Sequence, residues 1–313
     1  RGDGLTSEST TMTIEGSTFD NNTAYTGGAI YNTEEDTVLT ANRITVTNNT
    51  ATVGSGYNSR GGGGIYNRAR VDINDSIITG NQAGYRGGAI FNYEFTAGLA
   101  ATLNVNNTLI ANNTLAGAGQ GAGIFNRQRG QTRLNNVTLT NNTGASQGGG
   151  IYNWRPSTQP TDMDLVNVTL ADNGATTGPQ LYSTEGGAGS VVSLDKTIIS
   201  GAGASCALVG PAAPTDLGDN IASDASCGVT VAVANLAALA NNGGFSQTRA
   251  LNPGSGALGI GTSCLALDQR GVVRPGTGCD AGAFDLRCGG DGRCDGEEDG
   301  KSGELLHFVS GRQ

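Results

Sequence analysis

Histidine is all but missing from this chain: one residue in 313, His307, close to the C-terminus. Catalysis of the Ser/His/Asp kind needs an imidazole on the folded body, so that chemistry is disfavoured from the outset. Charge is scarce too. Asp, Glu, Lys and Arg make up 14% of the residues and aromatics 5%. The net charge is −9, whereas general nucleic-acid binding demands a basic face. No apolar run reaches the ~18 residues of a membrane-spanning helix. Residue 1 is Arg1, with neither an initiator Met nor a signal peptide, so the chain reads as a processed or truncated product.

What abounds is glycine, with 52 residues. There is no G-X-Y period, which excludes collagen, and Ile, Val and Leu recur between the glycines, which excludes a linker. The length suits one elongated domain or two compact ones. All six cysteines lie in the last third: Cys206, Cys227, Cys264, Cys279, Cys288 and Cys294. An even count, no C-x-x-C and a single His argue against zinc. Local pairs, Cys206–Cys227, Cys264–Cys279 and Cys288–Cys294, are the simplest arrangement among the fifteen that six cysteines allow. Disulfides would place the chain outside the cytosol.

The glycines belong to a repeat. GGAIYN at 27–32 returns as GGGIYN (62–67), GGAIFN (87–92), GAGIFN (121–126) and GGGIYN (148–153), with a worn copy, GPQLYS, at 178–183. A second phrase alternates with it, an apolar residue followed three positions later by Asn: Phe19/Asn22, Val46/Asn49, Ile78/Asn81, Ile110/Asn113, Leu139/Asn142 and Leu170/Asn173. Five residues before each apolar member stands another: Ile14, Ala41, Ile73, Val105, Leu134 and Leu165. Successive Asn positions lie 27 to 32 residues apart, a period that means stacked units.

The apolar runs are short, β-branched and alternating, and Gly, Asn and Asp punctuate each one. Helical repeats would instead space their apolar residues three and four apart. The pattern predicts an all-β chain: a right-handed parallel β-helix, each strand pairing with its equivalents one coil above and below, about 4.8 Å away. Ile of the phrase should point inward and stack on the next Ile, and Tyr or Phe should face the other side. The Asn residues should sit at corners and bond to one another along the axis. Paired Gly would serve corners or close approach of coils.

GGAI with FxxN, literally Phe19-Asp20-Asn21-Asn22, resembles the repeats of polymorphic outer-membrane adhesins of the autotransporter type, over roughly residues 14–183. This chain shows no terminal membrane barrel of that family. Residues 241–285 look like a choice-of-anchor Q domain, a module of bacterial secreted and surface proteins. Its marks are NGG (242–244), ALNPGS (250–255), DQRG (268–271), RP (274–275) and CD-GAF (279–284). The name implies surface attachment and leaves the ligand open. Physically, such a disulfide-braced segment would cap the open end of a β-helix.

After it, RCGGDGRCDGEEDGKSG (287–303) resembles short Cys-rich stalk repeats of some bacterial surface proteins. Asp291, Asp295, Glu297, Glu298 and Asp299 would suit Ca²⁺, although their spacing is not that of an EF-hand, and a solvated tail is the plainer reading. The final ELLHFVSGRQ shares no pattern with the rest.

Catalysis has two candidate carboxylate pairs, Asp162/Asp164 on one strand face and Asp72/Asp75 at a corner, which would suit glycoside hydrolysis. Neither has a Lys or His nearby in sequence, and corner Asp residues commonly make turns. A binding face is easier to argue. Eight of the sixteen Arg residues lie between 60 and 155: Arg60, Arg68, Arg70, Arg86, Arg127, Arg129, Arg133 and Arg155. The residue after the phrase Asn is Arg68, Tyr93, Arg127 and Trp154 in successive coils, so these four should form a column, with Arg155 beside it. The loops that follow, 93–101 and 154–162, are the variable ones, and insertions on one face often mark the binding face. Such a column suits an anionic glycan or an acidic partner, and equally would solubilise an edge. Eight N-x-[ST] sequons, among them Asn21, Asn48, Asn112 and Asn141, read as by-products of the Asn ladder.

The sequence thus predicts β-helix repeats over 1–235, a capping segment over 236–287 and an acidic Cys-containing tail over 288–313. It predicts a secreted or cell-surface bacterial protein without catalytic activity, adhesive or structural, with no cofactor beyond Ca²⁺ in the tail. Its partners would be extracellular glycans or copies of itself, since the start lies close to a full coil and coils stack end to end into fibres. A polysaccharide-active enzyme is the alternative the fold permits.

Overall fold

The computed structural model describes residues 10–286 except 34–35, 53–60, 95, 97–98, 155–160, 185–190 and 211–213. Its strands form parallel sheets of fifteen, six and seven strands, plus one antiparallel pair, Leu236–Ala240 with Thr248–Leu251. Among the described residues the helical element is a single 3₁₀ turn, Ala225–Cys227. The chain visits the sheets in rotation. Thr37–Asn42 and Thr45–Thr47 lie in the fifteen-stranded sheet, Thr50–Ala51 in the six-stranded one and Ile65–Asn67 in the seven-stranded one. It then re-enters the first sheet at Arg70–Asn74, one coil further on. This is the all-β parallel β-helix that the repeat predicts.

Corners fall where a residue tolerates positive φ. One column holds Arg43, Asp75, Asn107, Asn136, Asn167 and Lys196, all with φ near 50°. A second holds Asn21, Asn48, Gly80, Asn112, Asn141 and Asp172, and a third holds Gly27, Gly62, Gly87, Gly121, Gly148 and Gly178. Asn and Asp visit this left-handed region at low cost because their short side chains bond locally. The third column is strictly glycine for a second reason. A Cβ on Gly87 would lie 2.5 Å from the Ile90 carbonyl oxygen.

Between corners, alternation fills the interior. Ile30, Ile65, Ile90, Ile124, Ile151 and Leu181 are in register across the seven-stranded sheet, and all are buried. Ala41, Ile73, Val105, Leu134, Leu165 and Leu194 form a second buried column, so the apolar residues placed by spacing alone do stack. Each buried Ile, Leu or Val stabilises the coil by about 1.5–3 kcal/mol relative to exposure.

Inside the corners run amide ladders. Asn22, Asn49, Asn81, Asn113, Asn142 and Asn173 each pass a side-chain N–H to the Oδ1 of the next, at 2.8–2.9 Å, and Asn173 ends the run on Gln180 Oε1. Asn32, Asn67, Asn92, Asn126 and Asn153 form another, closing on Ser183 Oγ. The residue preceding a first-ladder Asn accounts for four of the eight sequons, Asn21, Asn48, Asn112 and Asn141. In Asn48-Asn49-Thr50, Asn48 makes the exposed corner, Asn49 joins the buried ladder and Thr50 begins a strand.

Disulfides join Cys206 to Cys227 and Cys264 to Cys279. Cys288 and Cys294 lie outside the described residues. From Leu236 onward the chain folds back along the outer flank of the fifteen-stranded sheet. There Asn136 Nδ2 donates to the Leu267 carbonyl (2.9 Å), Thr138 Oγ1 donates to Gln269 Oε1 (2.7 Å) and the Ala283 N–H donates to Thr169 Oγ1 (3.0 Å). Leu251, Ala257, Ala281 and Phe284 pack with Ile198 and Ile221 of the last coils. The sequence marks DQRG, RP and CD-GAF supply the inside of this brace. Arg270 pairs with Asp268 (2.8 Å) and lies over the Phe284 ring, while Arg274 pairs with Asp285 (3.3 Å).

Candidate functional site

The seven-stranded sheet carries the predicted column on its outer face. Strands Ile90–Tyr93, Ile124–Arg127 and Ile151–Trp154 are in register, so Tyr93 pairs with Arg127 and Arg127 with Trp154. The Arg127 guanidinium lies 5.0 Å from the Tyr93 ring centroid and 4.2 Å from that of Trp154. Each such contact is worth about 0.5–2 kcal/mol, more as water is removed. The residue is only 9% exposed, and burial pulls its pKa down to about 10. Arg68 follows the strand Ile65–Asn67, and its Nη2 donates to Glu94 Oε1 at 3.1 Å. Glu94, which no sequence pattern singled out, is buried, and its Oε1 also accepts the Thr96 N–H at 2.6 Å. Burial opposes its charge, yet the Thr96 and Arg68 hydrogen bonds hold its pKa below the ordinary carboxylate range.

Beside this column, on the same outer face, runs a ring stack. Tyr31, Tyr66, Phe91, Phe125, Tyr152 and Tyr182 lie parallel with centroids 4.9–5.3 Å apart. Tyr or Phe of the phrase does face away from the Ile column, as alternation requires, and Arg86 lies over Phe125 at 5.1 Å. Burial raises the phenol pKa of Tyr66 and Tyr152. The sequence places a ring in every coil, and the pairing of each strand with its equivalent turns six rings into one stack. The column therefore combines cations, ring faces and one partly exposed indole, Trp154, at its outer edge.

The remaining candidates separate. Asp162 and Asp164 share an outer strand face in the fifteen-stranded sheet, where Asp164 accepts from Arg133 Nε at 3.2 Å. Asp72 pairs with Arg70 (3.0 Å) and accepts from Asn104 Nδ2 (2.6 Å), whereas Asp75 makes a corner and accepts from Asn107. Asp72 and Asp75 thus serve different neighbours. Arg155 and the acidic group Asp291, Asp295, Glu297, Glu298 and Asp299 lie outside the described residues. Among the described residues no cluster of three His, Cys, Asp or Glu side chains gathers as metal ligands. No helix among them is long and apolar enough to cross a membrane.

A family model described as the Chlamydia polymorphic membrane protein repeat matches residues 16–33, 43–68, 75–93 and 136–153. No curated protein and no solved structure matches the chain. Each matched stretch begins at or just before an Asn-bearing phrase and ends at or just after a Gly-Gly phrase, so each traces one circuit from the fifteen-stranded sheet to the seven-stranded one. Over these four circuits the chain is similar to the repeats of Chlamydia polymorphic membrane proteins.

Proposed function

We propose that this chain is a non-enzymatic adhesive β-helix, displayed at or secreted from a bacterial surface, whose seven-stranded flank contacts an anionic glycan or an acidic partner. The observation that carries the reading is the Tyr93–Arg127–Trp154 column, held in register on the side where the long loops emerge. Arg127 acts from beneath: its charge, shielded from water by two rings, attracts an anion towards the edge of Trp154. Arg68 extends the same edge. The repeat similarity supports surface display, and so do the disulfides, which belong to oxidising compartments. We further assign the 241–285 segment to the choice-of-anchor Q type, on the strength of its NGG, DQRG, RP and CD-GAF marks.

The test is an array of sulfated, uronate-containing and neutral glycans probed with wild type, Trp154→Ala and Arg127→Ala. The reading expects binding to anionic glycans that weakens with added salt and falls about tenfold or more in both variants. Absence of any anionic ligand, or retention of full binding by both variants, would remove it.

A further inference from the structure

A second cleft lies where the leading turn of the C-terminal brace meets the fifteen-stranded sheet. The NGG turn at 242–244 is followed by an exposed ring, Phe245. Tyr66, Phe91, Phe125 and Tyr152 are buried in the stack, but Phe245 is 44% exposed and makes no ring contact among the described residues. Tyr25 and Tyr31 are the other strongly exposed rings among the described residues, and both lie in the first coil, far along the sequence from Phe245.

The ring is held rigidly. Gly243 and Gly244 turn the backbone through positive φ, and a Cβ on Gly244 would lie 2.6 Å from Arg270 Cα. Asn242 Nδ2 donates to the Thr248 carbonyl at 2.9 Å. Gln269 Nε2 donates to Ser246 Oγ (2.9 Å) and to the Gln247 carbonyl (3.2 Å). The NGG and DQRG marks therefore lock one turn together, and that turn presents Phe245 in a fixed place.

Opposite it stand Ile77 and Leu109. They are the outward partners of the inward Ile78 and Ile110, in the same column as Thr45 and Thr138. The brace covers this column at Thr138 and Thr169, and its leading turn reaches Leu109 and Ile77. Between them lies a cleft of about 320 Å³, at the small end of the ~300–1,000 Å³ usual for small-ligand sites. Its described lining is uncharged. Ile77, Leu109 and Phe245 give an apolar floor and wall, and Thr79, Asn112, Asn241 and Gln247 give a rim of hydroxyl and amide groups. The Gln247 side chain and Asn241 Nδ2 have no hydrogen-bond partner among the described residues.

A ligand matching this lining has an apolar face that stacks on a ring and an edge of hydroxyls that both donate and accept. Amide side chains serve such an edge because each carries a donor and an acceptor. A neutral hexopyranose, with a face of C–H groups and a periphery of hydroxyls, has that form. An anion finds no cation in this lining, and a purely apolar ligand would bury the amides unpaired. We propose that this cleft binds a neutral hexopyranose unit of a glycan, with Phe245 as the stacking platform. The site is separate from the Trp154 flank and does not rest on it.

The experiment titrates the full chain with methyl β-D-glucopyranoside, methyl β-D-galactopyranoside and methyl α-D-mannopyranoside, read by saturation-transfer NMR. Wild type should bind at least one of the three saturably. Phe245→Ala and Gln247→Ala should weaken that binding about tenfold or more, while Trp154→Ala leaves it unchanged. Both cleft positions are exposed, so circular dichroism of the variants should match wild type. Failure of wild type to bind all three sugars overturns the proposal. So does equal binding by Phe245→Ala, or loss of binding in Trp154→Ala alone.

Discussion

Asn113 Oδ1 accepts two hydrogen bonds from one residue, the backbone N–H of Asn81 at 3.0 Å and its Nδ2 at 2.9 Å. The same clamp joins Asn49 to Asn81, Asn113 to Asn142 and Asn142 to Asn173. Asn113 Nδ2 also donates to the carbonyls of Ile78 and Ala111. One side chain thus satisfies buried backbone groups of more than one coil, and it is itself fully buried.

Asn113→Ala should therefore cost more than one hydrogen bond. It strands the Asn81 N–H, takes one acceptor from Asn81 Nδ2 and takes a donor from the Ile78 and Ala111 carbonyls, the latter keeping the Gly80 N–H. A buried group left unsatisfied costs about 1–3 kcal/mol. A loss of about 3 kcal/mol or more is expected in urea unfolding. Asn112→Gly, one residue away at an exposed corner with φ 56°, should change stability by only a few tenths of a kcal/mol. Equal effects of the two would contradict the ladder account.

Gly87→Ala should be as damaging as a core deletion. The φ of 59° costs an L-residue about 1–2 kcal/mol, and the Cβ would press on the Ile90 carbonyl. A total of about 3 kcal/mol or more is expected from the same unfolding measurement. A variant as stable as wild type would mean that the corner relaxes.

Arg274 lies fully buried beside Asp285, and its two Nη atoms also donate to the carbonyls of Asp280 and Gly282 and to Asn136 Oδ1. Arg274→Met removes the cation and leaves the Asp285 carboxylate without it, a change worth about 3–5 kcal/mol. The loss should fall on the brace. Limited proteolysis should cut within 241–286 while the coils stay protected. Cleavage spread evenly along the chain would show that brace and coils unfold as one.

Asp280 gives the brace a pH dependence. Burial is the main cause, with the nearby Asp285 charge adding to it, and together they outweigh the N–H donors of Gly259 and Leu286 and lift its pKa to about 6. The folded form therefore holds the proton more tightly than the unfolded chain, where an Asp titrates near about 3.9. The group's contribution is full below the unfolded value and is lost as pH rises through about 6. Unfolding of the brace should accordingly need more urea at pH 5 than at pH 7.5, and the Asp280 carboxyl ¹³C shift should titrate with a midpoint near 6. A midpoint near 4 would show that water reaches the carboxylate.

The coils were legible in advance because every device that makes them is local. Alternation decides which residues face inward, and a corner needs only Gly, Asn or Asp at the right place. Once one repeat is a copy of the last, counting residues gives the register between them. Thus the spacing alone stacks Ala41, Ile73, Val105, Leu134 and Leu165 and aligns Tyr93, Arg127 and Trp154, as the strand register does. The neighbouring pairs Cys206–Cys227 and Cys264–Cys279 were legible for the same reason of proximity.

The state of the column was not legible. Periodicity aligns Arg127 with two rings but is silent on whether water reaches it, and the structure buries the guanidinium between them. Nor does any spacing bring Gln269 to Thr138, 131 residues earlier, or Phe245 to Ile77. By itself the sequence determined the coil, its corners and its columns, because a repeat makes non-local contacts predictable from local ones. Only the tertiary structure decided where the brace lies and which clefts it creates, because that segment shares no period with the surface it covers. Its position follows from matching hydrogen bonds and apolar contacts, which a one-dimensional pattern does not encode.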